Sequence, residues 1–268
     1  MPIITLLTDF GIEDEYVGIM KGVMLSVNPS LSIVDISHQI RPQDLTQAAF
    51  VVQSMYRFFP AGTIHLVVVD PGVGSGRDII ALKLEKQLFI APDNGVLTLL
   101  FERADRPTIR RVMNSDLYLK PVSHTFHGRD IFAPVAAHLS RGFELERLGP
   151  PVDRARLIHL DIPQPHLSRG GELVGTIVSV DGFGNLITNI KKEQVENFCS
   201  ENESGKILVK AGEVHMAGIS ESYMEVPPNE PLAIMGSRGY LELAVNRGSA
   251  AAYFRQGIGA AVRLKRPG

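Results

Sequence analysis

The stretch IITLLTDFGIEDEYVGIMKGVMLSVNPSLSIVDI, residues 3–36, carries two different periods in one line. Ile3 to Thr8 is a continuous run rich in apolar and β-branched residues, the pattern of a strand buried on both faces. From Asp14 to Val27 the apolar positions Val17, Met20, Val23, Met24 and Val27 recur at helical spacing, and Asn28-Pro29 stops that helix. Leu31 to Ile36 reads as a second strand. Working outward, Leu45 to Phe59 predicts another amphipathic helix, with Ala48, Ala49, Val52, Met55, Tyr56 and Phe59 on its stripe and Pro60-Ala61-Gly62 closing it. Ile64 to Val69 is the third buried strand. The order β-α-β-α-β predicts an α/β fold with a mostly parallel central sheet and helices on its faces. Asp78 to Ala91 then predicts two strands around a tight turn at Glu85-Lys86, and Asp130 to Leu139 a helix ended by Gly142.

From about Gly170 the pattern changes. Leu173–Val180, Leu186–Ile190, Ile207–Lys210, Leu232–Met235, Leu241–Val245 and Ala260–Leu264 are short strands between turn residues, with no helix of comparable length among them. That spacing predicts a smaller antiparallel barrel or sandwich, of which the β-barrel is the expected form. The expected organisation is an α/β domain over residues 1–165 and a barrel domain over 170–268, with the Pro-rich Ile162–His166 as linker. No internal repeat or low-complexity tract interrupts it.

The bulk properties exclude several classes. A chain of 268 residues, 44% hydrophobic and 21% charged, has the composition of a soluble globular protein with one large or two ordinary domains. A net charge of -2 leaves no basic surplus for nucleic acid or an anionic membrane, and the cluster Arg106, Arg110, Arg111 reads as a solvated face. One cysteine, Cys199, set among Glu196, Asn197, Ser200 and Glu201, permits no intrachain disulfide and no thiolate metal cluster. The first residues lack the basic start of a signal peptide, and the longest apolar runs are far too short to span a bilayer. A cytoplasmic protein is expected.

Ligands of open α/β sheets bind beyond the carboxyl ends of the strands. Three strands deliver a carboxylate to that edge: Asp9 after the first, Asp35 after the second and Asp70 after the third, with His38 close behind Asp35. Asp9 and Asp70 are read as functional, and Asp35 as a local cap. Residues 70–77, DPGVGSGR, form a glycine-rich loop without the Gly-Lys-Ser/Thr ending or the following helix of a phosphate loop. Such a loop can instead fold back and return Arg77 beside Asp70. His127 falls at the start of the Asp130 helix, where the imidazolium is disfavoured and a neutral ring favoured. His124, His138, His159, His166 and His215 are read as structural.

These residues sit in longer motifs: LTDFG-x2-D-x-YVG-x2-KG (Leu7 to Gly22), VDISH (Val34 to His38), VVDPGVG-x2-R (Val68 to Arg77), APDNG (Ala91 to Gly95), TFHGRD-x-FAP (Thr125 to Pro134), DGFGN-x2-TN (Asp181 to Asn189) and GSRGYLELA (Gly236 to Ala244). In order and over nearly the whole chain, they resemble the S-adenosyl-L-methionine (SAM) hydroxide adenosyltransferases, the SAM hydrolases related to fluorinase and chlorinase. The resemblance implies an enzyme that hydrolyses SAM to adenosine and L-methionine by attack of water on C5′, without metal or cofactor. It implies that Asp70, Arg77 and His127 position and activate the water and that Asp9 holds the ribose hydroxyls. Asp181 and Asn185 would bind the methionine end, Ser237 and Arg238 its carboxylate or the neighbouring adenine edge. Phe183 would lie against the adenine, with Glu242 and Val245 completing that site. It further implies a homotrimer with sites at subunit interfaces, and neither nucleic acid nor membrane as a partner. The halogenating relatives place tyrosine where this chain has Asp70, and tyrosine and serine at His127 and Gly128. The fluorinase inserts a loop between the equivalents of Arg77 and Ala91. All three departures point from halide to water.

The chemistry is coherent in itself. A sulfonium leaves as a neutral thioether and needs no general acid, so the demand falls on a nucleophile held in line with the C5′–S bond and relieved of a proton. Asp70 or His127 can take that proton, and the sequence leaves the choice open. Two other readings stand beside this one. The acidic loop Asp9–Asp14 has the look of the metal site of a nucleoside hydrolase, and a non-catalytic SAM or adenosine sensor could use the same scaffold.

Overall fold

The computed structural model describes residues 1–101, 107–199 and 207–266, and the chain divides into two compact units, Met1–Asp161 and Ile162–Gly268. Among the described residues no helix is long and apolar enough to cross a membrane.

The first unit is a six-stranded sheet between helices. Its strands are β1 (Ile3–Thr8), β2 (Ser32–Ser37), β3 (Ile64–Val68), β4 (Ile79–Leu84), β5 (Gln87–Pro92) and β6 (Thr108–Arg111), in the order β2-β1-β3-β5-β4-β6. The pairs β1–β2, β1–β3 and β3–β5 are parallel, and β4 runs antiparallel to both its neighbours. The predicted hairpin is there, with Glu85 turning it at φ 54. Alternation along the buried strands sorts side chains into two cores. Ile4, Leu6, Leu66 and Val68 face α1 (Tyr16–Val27) and α4 (Ala133–Ser140), whereas Leu7, Val67 and Val69 face α2 (Leu45–Met55) and α3 (Thr98–Phe101). Met20 and Met24 of α1 are fully buried, each contributing about 2 kcal/mol of apolar burial.

Boundaries differ from expectation for local reasons. Asp44 caps α2 by accepting from the Gln47 N–H at 2.8 Å, and the helix tightens to a 3-10 turn over Tyr56–Phe58 before Pro60. The predicted Asp130–Leu139 helix starts earlier, as a π-turn over Gly128–Phe132 that runs into α4. Asp35 does not follow β2 but lies inside it, paired with Leu6 on the edge strand of the sheet. β6 went unread, its TIRR sequence offering no apolar run.

The second unit is an antiparallel, nearly closed barrel. Its strands are β7 (His166–Leu167), β8 (Leu173–Val180), β9 (Leu186–Lys191), β10 (Leu208–Ala211), β11 (Val214–Ala217), β12 (Pro231–Met235), β13 (Tyr240–Val245) and β14 (Ala261–Lys265), ordered β11-β10-β14-β8-β9-β13-β12 with β7 beside β8. A bridge between Ser220 and Ile234 joins the two ends of that path. Ile177, Leu186, Ile190, Val209, Leu241, Leu243 and Leu264 fill the interior. Two short helices, α5 (Lys192–Phe198) and α6 (Ala250–Phe254), and the strands β7 and β11 were not foreseen. The Pro-rich stretch is no free linker: Asn189 donates to the Pro163 carbonyl and His166 opens β7.

Candidate active site

In the first unit, register brings together the two carboxylates that the sequence nominates. Thr8 of β1 pairs with Val68 of β3, so Asp9 and Asp70 leave the same end of adjacent parallel strands. Beyond Asp70 the chain makes two successive turns, Val73 N–H to Asp70 carbonyl at 3.2 Å and Ser75 N–H to Gly72 carbonyl at 3.1 Å, and comes back as Arg77. Gly74 permits this. Its φ is +78, and a Cβ there would stand 2.2 Å from the His124 carbonyl oxygen, so only glycine lets this loop lie against the loop that carries His127.

The result is a continuous cluster. Arg77 Nε donates to Asp70 Oδ1 at 2.9 Å and Oδ2 at 3.0 Å, and a terminal nitrogen also donates to Oδ2. That terminal nitrogen lies 3.0 Å from His127 Nδ1. The Asp70 and Arg77 side chains are only 5% and 9% exposed, so their pairing acts in a largely desolvated place. The guanidinium lies 5.7 Å from the centroid of the Phe132 ring. An arginine has donors and no acceptor, so Nδ1 of His127 must accept and the neutral ring carries its proton on Nε2. Burial first, then the Arg77 charge, holds His127 below the usual histidine range, against the opposing pull of Asp70, Asp130 and the Ser123 backbone. Desolvation and the Arg77 charge thus favour the neutral ring.

Asp130, which carried no assigned function in the sequence, anchors the His127 loop. It is fully buried, accepts the Ser123 N–H at 2.8 Å and pairs with Arg129 at 2.6 Å. A cavity of about 290 Å³ opens beside the cluster, lined by Asp9, Phe10, Gln43, Asp70, Val73 and His127 among others. Asp9 is held by the Gln43 N–H at 2.8 Å. Phe10 and Gln43 were not among the predicted site residues; the Gln43 backbone, at φ 66, is brought in from the chain between β2 and α2.

Asp35 and His38 stay outside this cluster. Asp35 meets Lys21 at 2.6 Å and His38 Nε2 at 3.1 Å. Burial pushes its carboxyl up, but the hydrogen bonds from Lys21 and His38 outweigh that and hold it low. His38 Nδ1 reaches Thr8 Oγ1 at 2.9 Å, and the His38 carbonyl accepts the Gly11 N–H at 2.7 Å. The pair braces the Asp9–Gly11 turn. Among the described residues no three His, Cys, Asp or Glu side chains group as a metal site, and Asp9, Glu13 and Asp14 form no such group. Of the basic cluster, Arg106 lies outside the described residues, and Arg111 pairs with Asp78 at 2.8 Å. Ser200 and Glu201, beside the half-buried Cys199, likewise lie outside them.

The second unit assembles a different set. Asp181 Oδ1 accepts the N–H groups of Phe183 and Asn185, both at 2.9 Å, and Oδ2 accepts the Asn185 amide at 3.0 Å. This tight turn lifts the Phe183 ring into solvent, 84% exposed. Phe183, Asn185 and Val245 line a cavity of about 490 Å³ with Tyr223, Arg247 and Gly248, three residues sequence reasoning missed. Glu242 is buried on β13, and burial, then the nearby Asp181, raises its carboxyl above the ordinary value while Arg238 opposes them. Ser237 and Arg238 sit exposed in the turn between β12 and β13 and do not line that cavity.

A cavity at parallel strand ends, walled by a carboxylate and an imidazole that one guanidinium clamps from behind, is the equipment of an enzyme acting on a small molecule. Residues 4–149 match the SAM hydroxide adenosyltransferase N-terminal domain and residues 175–263 the C-terminal domain, and the chain belongs to this family. It is 38% identical to the (R)-S-adenosyl-L-methionine hydrolase of Thermus thermophilus, over 91% of this chain and 92% of that one. The protein of the same name from Methanocaldococcus jannaschii is 33% identical over 91% and 88% of the two chains. A fluorinase of an Actinoplanes species is 28% identical, over 91% of each. Among solved structures, an uncharacterized conserved protein from Thermotoga maritima superposes with a TM-score of 0.90 at 36% identity, covering 99% of this chain and all of that one.

Proposed function

We propose that the protein hydrolyses (R)-S-adenosyl-L-methionine to adenosine and L-methionine, the substrate being that named for its 33–38% identical relatives. The single observation that carries the chemistry is Arg77 bridging Asp70 and His127. With Nδ1 of His127 accepting from Arg77, the ring fixes the guanidinium and has no free lone pair for a proton. Asp70 is then the acceptor in the cluster, and Arg77 stabilises the hydroxide character that develops. The water oxygen bonds to C5′, the C5′–S electron pair leaves with sulfur as the neutral thioether of methionine, and the proton passes to Asp70 and on to solvent.

The first domain, within residues 1–165, carries the water-activating residues, with Asp9 at the ribose hydroxyls. The second, within 170–268, contributes Asp181, Phe183, Asn185, Ser237, Arg238, Glu242 and Val245 to the methionine and adenine ends. The protein works without metal, as a cytoplasmic homotrimer. Incubation with each sulfonium epimer of SAM, in water enriched in heavy oxygen and with or without chloride and chelator, tests the reading. Adenosine carrying the label at its 5′ oxygen, indifferent to chelator, is the expected product. Label on a methionine fragment, loss of activity on chelation, or binding without adenosine release would each overturn it.

A further inference from the structure

The turn Asp93-Asn94-Gly95 leaves the end of β5 and grips both ends of the loop that carries the Asp70–Arg77 pair. The Asn94 side-chain amide donates to the Val69 carbonyl at 2.9 Å, one residue before Asp70. The Asp93 N–H donates to the Asp78 carbonyl at 2.9 Å, one residue after Arg77. The β3–β5 ladder ends at Leu66 and Ile90, so on that side the Asn94 amide supplies a donor to β3 after the strand pairing has stopped. Val69 is fully buried, and a buried carbonyl needs such a donor.

The turn is itself held from several directions. Asn94 Oδ1 accepts the Val96 N–H at 3.2 Å, closing a local turn. Asp93 Oδ1 accepts the Ile158 N–H at 3.0 Å. Gly95, at φ +92, packs so closely on Leu160 that a Cβ would come within 3.0 Å of the Leu160 nitrogen. A turn fixed this way can transmit its position to whatever it grips.

We propose that Asn94 is a positioning residue for the water-activating cluster: its amide, by holding the Val69 carbonyl, sets where Asp70 presents its carboxylate to Arg77. This rests on the assignment of Asp70 and Arg77 to the hydrolysis of SAM. Asn94 acts through Asp70 and touches no reacting atom.

Two variants test it. Asn94→Ala removes the amide. Asn94→Asp keeps the acceptor for Val96 but sets a carboxylate oxygen against the Val69 carbonyl, so the turn persists without the grip. In both, kcat is expected to fall by about 30- to 100-fold, the scale of a misplacement near 1 Å. KM for SAM and the affinity for adenosine should stay within about twofold, because the nucleoside contacts lie elsewhere. A kcat within about threefold of the parent, a rise in KM without a fall in kcat, full activity in Asn94→Asp, or failure of both variants to fold would overturn the inference. A parent protein that does not hydrolyse SAM sinks the functional reading before any variant is compared. An active parent with unaffected variants sinks only the role of Asn94.

Discussion

At the cavity of the first unit, Asp70 meets Arg77, Arg77 meets His127, and the neutral ring is favoured, with the Asp70 and Arg77 side chains nearly out of solvent. The second unit treats its acids otherwise. Asp181 commits both oxygens to its own turn, and Glu242 is buried near that same negative group with Arg238 as the opposing charge. The first arrangement is preorganised, so on the proposed function developing charge on a water finds its dipoles already aimed. The second leaves a buried carboxylate poorly compensated, and on the proposed function its balancing donor comes from the ligand. On the proposed function, one region changes a charge and the other recognises one.

The largest effect expected from this contrast is at Arg77. Arg77→Met should lower kcat by about a thousandfold, since it removes the stabilising cation and frees His127 from its fixed tautomer. It should also destabilise the first unit by about 3 kcal/mol, because Asp70 is left buried and unpaired. Steady-state kinetics below the melting range, with a thermal melt, check both. A kcat within tenfold of the parent would break the idea of a preorganised cluster.

Much of this frame was legible in the sequence. The runs of β1 and β3 and the helical stripe between them are strong periodic signals, and they alone place Asp9 and Asp70 at one sheet edge. Arg77 could only be nominated, because its return depends on Gly74 fitting under the His124 carbonyl, a contact between loops far apart in the chain. Asp130 was invisible for the same reason: an acid after an arginine gives no sign of being fully buried beneath a backbone N–H. Short polar strands such as β6 and the two-residue β7 carry no period to read. Tyr223, Arg247 and Gln43 reach their cavities by tertiary folding, with no motif to mark them.

Phe183 sharpens the contrast from the recognition side. Its ring is 84% exposed and packs on no core, so Phe183→Ala should leave the melting midpoint and kcat unchanged. If the ring lies against adenine, KM should rise about tenfold, the worth of one aromatic stacking contact. An equal fall in kcat with KM unmoved would place Phe183 with the first cluster instead of the second.

Glu242 gives the smallest effect and the one whose sign is least intuitive. Its carboxyl is raised above the ordinary 4.5 by burial and then by Asp181, so it holds its proton more tightly in the folded chain than in the unfolded one. Stability therefore falls as pH climbs from 4.5 through the raised value, and it stays reduced at neutrality. A glutamine of the same shape carries no such dependence. Glu242→Gln should melt higher at neutral pH by about 2–4 °C, corresponding to about 1 kcal/mol, and the gap should close below pH 4.5. The same change should raise KM for SAM several-fold, because the charge that weakens the empty fold is the one a donor on the ligand would satisfy. Stabilisation and weaker recognition from a single substitution is the opposite of what Arg77→Met does to the first unit. A lower melting midpoint for Glu242→Gln at neutral pH would mean that this carboxylate is already compensated, and that the two clusters are built alike.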